Sequence, residues 1–174
     1  GQFDEQLSAN QRVLTEDSSS LAARVGSAAA LITAGKSVEA LAELEAIAAS
    51  IPAEQLAAIP QIWNPLLQLR IATEMKRPQA ERDWTNTDEL IDQLQQSTEI
   101  SDTQLTLLRI DMLVRKGEAE AAADFLEKQV KNNPADAQLW SALAMLSLRE
   151  KSVTAAREVM DGIPQELSNE PEVL

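Results

Sequence analysis

The chain of 174 residues contains no cysteine, no histidine and no tyrosine. Without cysteine it can form neither a disulfide nor a thiolate nucleophile. Without histidine it has no histidine general base and no zinc site of the usual Cys/His kind. It also lacks the glycine–serine elbow of the common serine hydrolases. We therefore expect a protein that is not an enzyme, with no catalytic residue, cofactor or metal.

Glycine and aromatic residues are scarce, with five glycines and two phenylalanines in the whole chain. Val, Ile, Thr and aromatic residues do not alternate with a period of two, so a sheet is not expected. Alanine, leucine, glutamate and glutamine dominate, and these side chains favour helices. The longest uncharged run, residues 55–69, is broken by Pro60 and Pro65 and is shorter than the ~20 apolar residues of a membrane span. These patterns predict an all-α protein that does not insert into a membrane.

Positive charge is also scarce. The formal net charge is −13, and acidic residues outnumber basic ones in each third of the chain. A phosphate backbone or an anionic membrane would be repelled along the whole length, so we expect no nucleic-acid partner. The acidic surface is expected to serve solubility. Gly1 stands where a gene product begins with Met, which predicts a piece excised from a longer protein, and nothing indicates its compartment.

Apolar residues at helical spacing, separated by glycine and proline, predict a series of helices. Residues 1–17 carry a thin apolar stripe and are predicted to form a short N-terminal helix or a frayed segment, and residues 165–174 a tail or linker. Between them the pattern predicts helical hairpins over about residues 18–52, 61–97, 102–134 and 136–163. The second hairpin has the longest connection between its helices.

Capping residues predict where individual helices begin. One of the serines at positions 18–20 is the predicted N-cap of the first helix, and Ser101 or Asp102 that of helix 103–116. A sequence of the capping-box kind beginning at Thr87 predicts the start of a helix that ends near Ser97. Pro65 is predicted to lie close to the start of the helix that runs to Met75, where a missing N–H costs little.

One pattern of residues occurs twice at the same relative spacing, which indicates an internal repeat. The first copy is Gly35, Ala40, Leu44 and Pro52, and the second is Gly117, Ala122, Leu126 and Pro134. The second copy is followed by Trp140, Leu143 and Ala144, and then by Ala156 and Met160.

Together these residues resemble the tetratricopeptide repeat, whose pattern is W-x2-L-G…A-x3-F. The resemblance covers residues 21–54 and 103–164, and extends to the middle block only through Trp63-x2-Leu66-Leu67. The sequence departs from the family at Lys151, where a turn glycine is expected, and at Ser147, where a large aromatic residue is expected. The resemblance implies a right-handed α-solenoid of stacked antiparallel hairpins, whose first helices line a concave groove that binds a partner peptide or helix.

The same resemblance implies which residues face that groove. The inward positions of the first repeat hold Ala22, Val25 and Ala29, so the Lys/Asn/Arg clamp that binds C-terminal carboxylates in part of the family is missing. An apolar groove of this kind suits a helix or an apolar peptide. Trp84 joins the candidates as the one large apolar group in a polar connection, where we expect it to be exposed. The candidate partner-binding residues are Gln104, Leu107, Asp111, Gln138, Ser141, Met145, Arg149 and Trp84.

Two further sets of residues allow more than one interpretation. The other tryptophans, Trp63 and Trp140, are expected in the core. In helix 103–116 a strict repeat register would bury Arg109, whereas a register shifted by one residue buries Leu105, Leu108 and Met112. We favour the shifted register because an arginine facing a dry core is costly.

Charged clusters surround the long connection of the second hairpin. The acidic residues are Asp83, Asp88, Glu89 and Asp92. They lack the spacing of a calcium loop, so we expect solvated or capping side chains rather than a cation site. The basic residues are Arg70, Lys76, Arg77 and Arg82. They could bind an acidic partner, although charges of this kind are common at helix ends.

The function that follows is a non-enzymatic protein–protein interaction scaffold that binds a protein or peptide partner or associates with its own copies. The alternative is a docking or spacer segment of a larger enzyme or transport machine, whose chemistry lies in another domain.

Overall fold

The computed structural model describes residues 8–10, 12–13, 20–164 and 167. Every regular element within these ranges is helical, which confirms the predicted all-α class. The predicted N-terminal helix over residues 1–17 lies outside the described residues, apart from 8–10 and 12–13, which are helical. The predicted tail over residues 165–174 lies outside them too, apart from 167. None of the helices in the described ranges is long and apolar enough to cross a membrane.

The chain divides into two compact units, with the boundary between Ile100 and Ser101. The first unit contains five α-helices and a short 3₁₀ turn over Gln79–Glu81 in its described part. These helices are α1 (Leu21–Thr33), α2 (Ser37–Ala49), α3 (Ala53–Leu56), α4 (Pro60–Met75) and α5 (Thr85–Gln95). Helix α2 packs against α1 and α4, and α5 packs against α3 and α4. The most deeply buried side chains on these helices include Leu44, Ile47, Leu66, Leu67 and Leu94.

The second unit contains four α-helices in its described part. They are α6 (Asp102–Lys116), α7 (Ala119–Asn132), α8 (Ala137–Glu150) and α9 (Val153–Asp161). Helix α6 packs against α7 and α8, and α8 also packs against α7 and α9. The core of this unit is formed by Ile110, Ala122, Ala123, Leu126, Val130, Leu139, Leu143 and Leu146.

Glycine turns join the helices of two pairs. Gly35 has a φ of 74° and Gly117 a φ of 88°, so both lie in the left-handed region that other residues adopt only at a cost. The next backbone N–H in each case, that of Lys36 and of Glu118, donates to a carbonyl five residues back, at Leu31 and Leu113. These bonds satisfy free carbonyls at the helix end and reverse the chain within a few residues. The helix pairs α1–α2 and α6–α7 therefore turn tightly.

Two predicted helix starts and one predicted capping hydrogen bond differ from the structure. Helix α4 begins at Pro60, so Pro65 lies inside the helix rather than near its start. Proline has no N–H, so Pro65 cannot donate a hydrogen bond to the carbonyl of Gln61, four residues earlier in the helix. Gln61 is exposed, so water can reach that carbonyl instead. Helix α5 begins at Thr85 rather than Thr87, which is buried in the first turn. Ser20 occupies the N-cap position of α1 but its side chain accepts no capping hydrogen bond, and residues 18 and 19 lie outside the described ranges.

Helix α6 follows the shifted register in large part. Leu105 and Met112 are buried as that register requires, together with Thr106 and Ile110. Leu108 is only half-buried, and Arg109 is half-buried as well. The strict register would bury Arg109 in the core, so it describes the buried face of α6 less accurately than the shifted register does. Both registers place the buried stripe too narrowly, because α6 packs against two neighbouring helices.

A candidate partner-binding groove between α6 and α8

Hydrogen bonds at the N-terminal ends of α6 and α8 fix the positions of these two helices. The Ser101 hydroxyl accepts from the Gln104 backbone N–H at 3.2 Å, and the Gln104 side chain accepts from the Ser101 N–H at 3.3 Å. The Asp136 carboxylate accepts from the backbone N–H groups of Gln138 and Leu139 at 3.0 and 3.3 Å. It also accepts a hydrogen bond from the hydroxyl of Thr103 on α6. The side chain that begins α8 thereby ties it to the first turn of α6.

A groove of about 210 Å³ lies between α6 and α8. Its walls come from two turns of each helix and are mostly apolar, with one acidic and one basic side chain. We call it the α6/α8 groove. Its lining residues are Leu107, Ile110, Asp111, Val114, Ala142, Met145, Leu146 and Arg149.

Four of the residues predicted to bind a partner line this groove, namely Leu107, Asp111, Met145 and Arg149. Met145 is 70% exposed, which is unusual for a methionine beside an apolar wall. The side chain has three rotatable bonds and a polarisable sulfur, so it can adapt to an apolar partner surface. The prediction from repeat spacing and the observed groove therefore concern the same faces of α6 and α8.

Three other predicted residues lie outside the groove lining. The Gln104 side chain is occupied by the capping hydrogen bond to the Ser101 N–H. Gln138 is exposed and lines a separate polar depression, together with Ser101 and Pro134. Ser141 is half-buried on α8.

The tryptophans do not lie where the sequence predicts. Trp84 was expected to be exposed, but it is half-buried, because it sits at the N-cap position of α5 rather than in an open loop. Trp63 and Trp140 were expected in the core, and both are half-buried. The Trp140 ring packs against the core of the second unit while its Nε1–H donates to the Pro134 carbonyl at 2.9 Å. A tryptophan ring with a polar N–H is suited to such a position at the edge of a core.

Ion pairs hold the charged residues of the groove in place. Arg115 Nε donates to the Asp111 carboxylate at 2.7 Å along α6. Arg149 Nε donates to the Glu150 carboxylate at 2.6 Å on α8. Exposed pairs of this kind contribute about 0–1 kcal/mol, so a partner could replace either contact at little cost. The α6/α8 groove thus presents an apolar surface with one exchangeable charge of each sign.

Four lining residues were not among those predicted, namely Ile110, Val114, Ala142 and Leu146. Repeat spacing marks single inward positions, and it assigned these four to the core or left them out. The signal that could have found them is the helical spacing of three, four and seven residues, which leads from Leu107 to Ile110 and Val114 on α6, and from Ala142 to Met145, Leu146 and Arg149 on α8.

The basic cluster of the first unit is largely engaged by neighbouring groups. Arg70 on α4 donates to the Glu45 carboxylate and to the Asn86 carbonyl, at 3.2 and 2.6 Å. Arg77 pairs with Glu74 at 3.4 Å, and Arg82 donates to the Arg77 carbonyl. These contacts join helices and connections within the unit, so the cluster is not a patch of open positive charge.

The acidic cluster of the same unit contains one capping residue. Asp83 accepts from the Thr85 hydroxyl at 2.6 Å and from the Thr85 backbone N–H at 3.0 Å. Both hydrogen bonds favour the charged carboxylate and so lower the pKa of the Asp83 carboxyl below its ordinary value of 3.8. The bond from the Thr85 hydroxyl has the larger effect, and the bond from its backbone N–H the smaller one. Within the described ranges, no group of three or more acidic side chains is placed to hold a metal ion.

Comparison with protein-family models and with curated proteins found no match for this chain. The case for a function therefore rests on the geometry of the residues themselves.

Proposed function

We propose that the chain is a helical-repeat protein of the tetratricopeptide type, whose hairpins stack into a right-handed α-solenoid. Two stretches support this proposal because they share one local geometry. In each, a glycine with positive φ is followed by an alanine and then a leucine that are buried in the next helix. These residues are Gly35, Ala40 and Leu44 in the first unit, and Gly117, Ala122 and Leu126 in the second.

The packing order of the second unit supports the same proposal. Helix α6 packs against its hairpin partner α7 and also against α8, which begins the next hairpin. Stacked repeats have this arrangement, since each repeat buries its apolar face against its neighbour. Residues 102–134 and 136–163 would then be successive repeats, with α6 and α8 as their first helices.

The function we propose is that of a non-enzymatic scaffold that binds a helix or an apolar peptide of a partner protein in the α6/α8 groove. The observation that carries this proposal is the groove itself. It is lined by apolar residues from both first helices and has the 70% exposed Met145 on its wall. A partner side chain seated there would cover apolar surface that now faces water, which favours association.

The groove would bind without large rearrangement. Its helices are held by the Ser101 cap, the Asp136 cap and the Thr103–Asp136 hydrogen bond. A surface that is already ordered loses little conformational entropy on binding. Asp111 and Arg149 carry opposite charges, so a partner with complementary charges would be held in one orientation.

The test is affinity capture from a lysate of the source organism, with the wild-type chain beside two single variants. Met145→Glu places a charge in the groove, while Val153→Glu places one at a similarly exposed valine on α9, outside the groove. We expect at least a tenfold loss of partner with Met145→Glu and none with Val153→Glu, because a carboxylate in the groove would have to lose its hydration against an apolar partner surface. Light scattering of the pure chain identifies a second copy as the partner if a dimer is lost in the same variant only.

Equal capture by all three proteins would contradict the proposal. That result would favour the alternative role of a docking or spacer segment. Loss of capture with both variants would also contradict it, because the apolar contact would then not be specific to the groove. Circular dichroism of each variant controls for unfolding, and both substituted side chains are exposed, so folding should be preserved.

A further inference from the structure

Helix α1 has one side that is made of small residues, and none of them belongs to the α6/α8 groove. Their spacings of three and four along the helix place them on one side of it. They are Ala23, Gly26, Ser27 and Ala30, and we call this side the α1 small-residue face. Ala23 and Ala30 are buried. Helix α2 packs against the neighbouring side of α1, where Arg24 forms an ion pair with Glu43 at 2.8 Å.

Asn10 lies against this face at Gly26. A β-carbon at Gly26 would stand 2.8 Å from Nδ2 of Asn10 and 3.2 Å from its Cγ, which is closer than van der Waals contact allows. The missing side chain of Gly26 therefore makes room for the Asn10 amide, although glycine inside a helix costs stability relative to alanine. Residues 8–10 and 12–13 are helical and bring Asn10 over the face, so we call them the N-terminal cover.

Ser27 has no hydrogen bond beneath this cover. The residue is 8% exposed, and its Oγ is buried without a hydrogen-bond partner. Asn10 lies against the adjacent Gly26 but does not bond to the Ser27 hydroxyl. A buried hydroxyl that has lost water without gaining another partner is unfavourable, and native proteins contain few of them. The N-terminal cover therefore occupies the face without satisfying its hydroxyl.

The described side chains of the N-terminal cover bury little surface. Asn10 is half-buried, whereas the side chains at positions 8, 9, 12 and 13 are exposed. Segments that make few buried apolar contacts open at a free energy well below that of global unfolding. The cover is therefore suited to leave α1 while the rest of the unit stays folded.

We propose that the α1 small-residue face is a docking site for a helix of a partner protein, and that the N-terminal cover occupies it until that helix displaces it. Small side chains at a contact allow two helix axes to approach closely, so the face suits a helix. The partner helix carries a serine, asparagine or glutamine that forms a hydrogen bond with the Ser27 hydroxyl, which is the bond that the cover does not provide. The site is independent of the α6/α8 groove, so either proposal can fail without the other.

The first test measures whether the cover opens while the chain stays folded. The chain has no cysteine, so Ser27→Cys and Ala28→Cys each introduce a single thiol. Both positions are buried, but Ala28 lies one helical turn after Arg24, on the side that faces α2. We expect Ser27→Cys to react with dithiodipyridine at least tenfold faster than Ala28→Cys, because opening of the cover is enough to expose it. Equal rates would overturn the proposal, because the face would then be reached only by unfolding.

The second test uses a fluorescent peptide with the sequence of residues 1–17 as the probe. It is titrated with the full chain carrying Asn10→Ala, which weakens the chain's own cover, and anisotropy reports saturable one-to-one binding. Adding Gly26→Leu to that chain should weaken binding at least tenfold, because the new side chain fills the face. Adding Ala42→Leu, at an exposed position of α2, should leave the affinity unchanged. No saturable binding, or equal affinity with Gly26→Leu, would contradict a docking site on α1.

A last set of peptides tests the hydrogen bond to Ser27. Each carries one additional asparagine three or four residues from Asn10, as Gln6→Asn, Leu7→Asn, Val13→Asn or Leu14→Asn. We expect at least one of them to bind about fivefold more tightly to the Asn10→Ala chain than to the same chain with Ser27→Ala, as one hydrogen bond predicts. The unmodified peptide leaves the hydroxyl unpaired and should bind the Ser27→Ala chain at least as well. If no peptide prefers the chain that retains Ser27, the proposed partner chemistry is wrong.

Discussion

Replacing Ala122 by leucine should destabilise the second unit strongly, whereas the same change at its neighbour Ala121 should not. Ala122 is 0% exposed at the start of α7 and belongs to the core together with Leu126 and Leu139. Ala121, the preceding residue of the same helix, is exposed. Alanine and leucine have similar helix propensities, so the two substitutions differ mainly in the space available to the new side chain.

The expected cost follows from the packing. An isobutyl group at position 122 must displace atoms of α6 or α8, and overpacking of a filled core costs about 1–3 kcal/mol. A substitution at an exposed position such as 121 changes the free energy of unfolding by about 0.5 kcal/mol or less. With an m-value of about 2 kcal/mol per molar urea, the midpoint should fall by about 0.5–1.5 M for Ala122→Leu and by at most about 0.25 M for Ala121→Leu.

Urea denaturation followed by far-UV circular dichroism measures both shifts. The fluorescence of Trp140, which packs against the same core, reports on the second unit more directly. The first unit offers a matched pair in Ala40→Leu and Ala42→Leu, at a buried and an exposed position of α2. Tight packing is our explanation for the alanine that recurs in the internal repeat, at position 122 in its second copy. An equal fall of the urea midpoint in Ala122→Leu and Ala121→Leu would refute this explanation.

Two further predictions concern helix caps. Ser101→Ala should lower the free energy of unfolding by about 1 kcal/mol because it breaks the capping box of α6. Ser20→Ala removes no capping hydrogen bond and should change the free energy of unfolding by only a few tenths of a kcal/mol. Equal losses of stability in urea denaturation would argue against a stabilising cap at Ser101. Asp83→Ala should lower the melting temperature at neutral pH, because the folded state holds the pKa of Asp83 below its ordinary value and so favours the charged carboxylate. This stabilisation is present above pH 3.8 and is lost as the pH falls through the lowered pKa. Melting curves of wild type and variant should therefore converge in acid, and a gap that stays constant down to acid pH would exclude this role.

Strong end signals explain why the helix boundaries of the second unit could be predicted closely from the sequence. The predicted hairpins 102–134 and 136–163 contain α6 with α7 and α8 with α9, and each predicted boundary lies within two residues of a helix end. Each boundary there has a local cause, such as the positive φ of Gly117 or the Asp136 side chain that caps α8. Local causes of this kind depend on a few consecutive residues, so the sequence contains them in full.

The boundaries that were missed depend on less common arrangements. Helix α5 begins at Thr85 because Asp83 accepts two hydrogen bonds from it, a pattern that does not match the usual capping box. Helix α4 continues through Pro65 because packing of Leu66 and Leu67 offsets one missing hydrogen bond. The half-buried position of Trp84 follows from the early start of α5. In each case a contact between residues outweighs the local propensity.

The groove could be predicted in part because some of its lining residues also belong to the core of the second unit. Ile110 and Leu146 belong to the core of the second unit and also line the α6/α8 groove. The residues that fold the unit therefore also shape the proposed binding surface, and the packing of the core keeps the groove formed. A substitution at Ile110 or Leu146 would change stability and binding together, and neither effect could be assigned. Met145 lines the groove but is outside the core, so its replacement separates binding from folding.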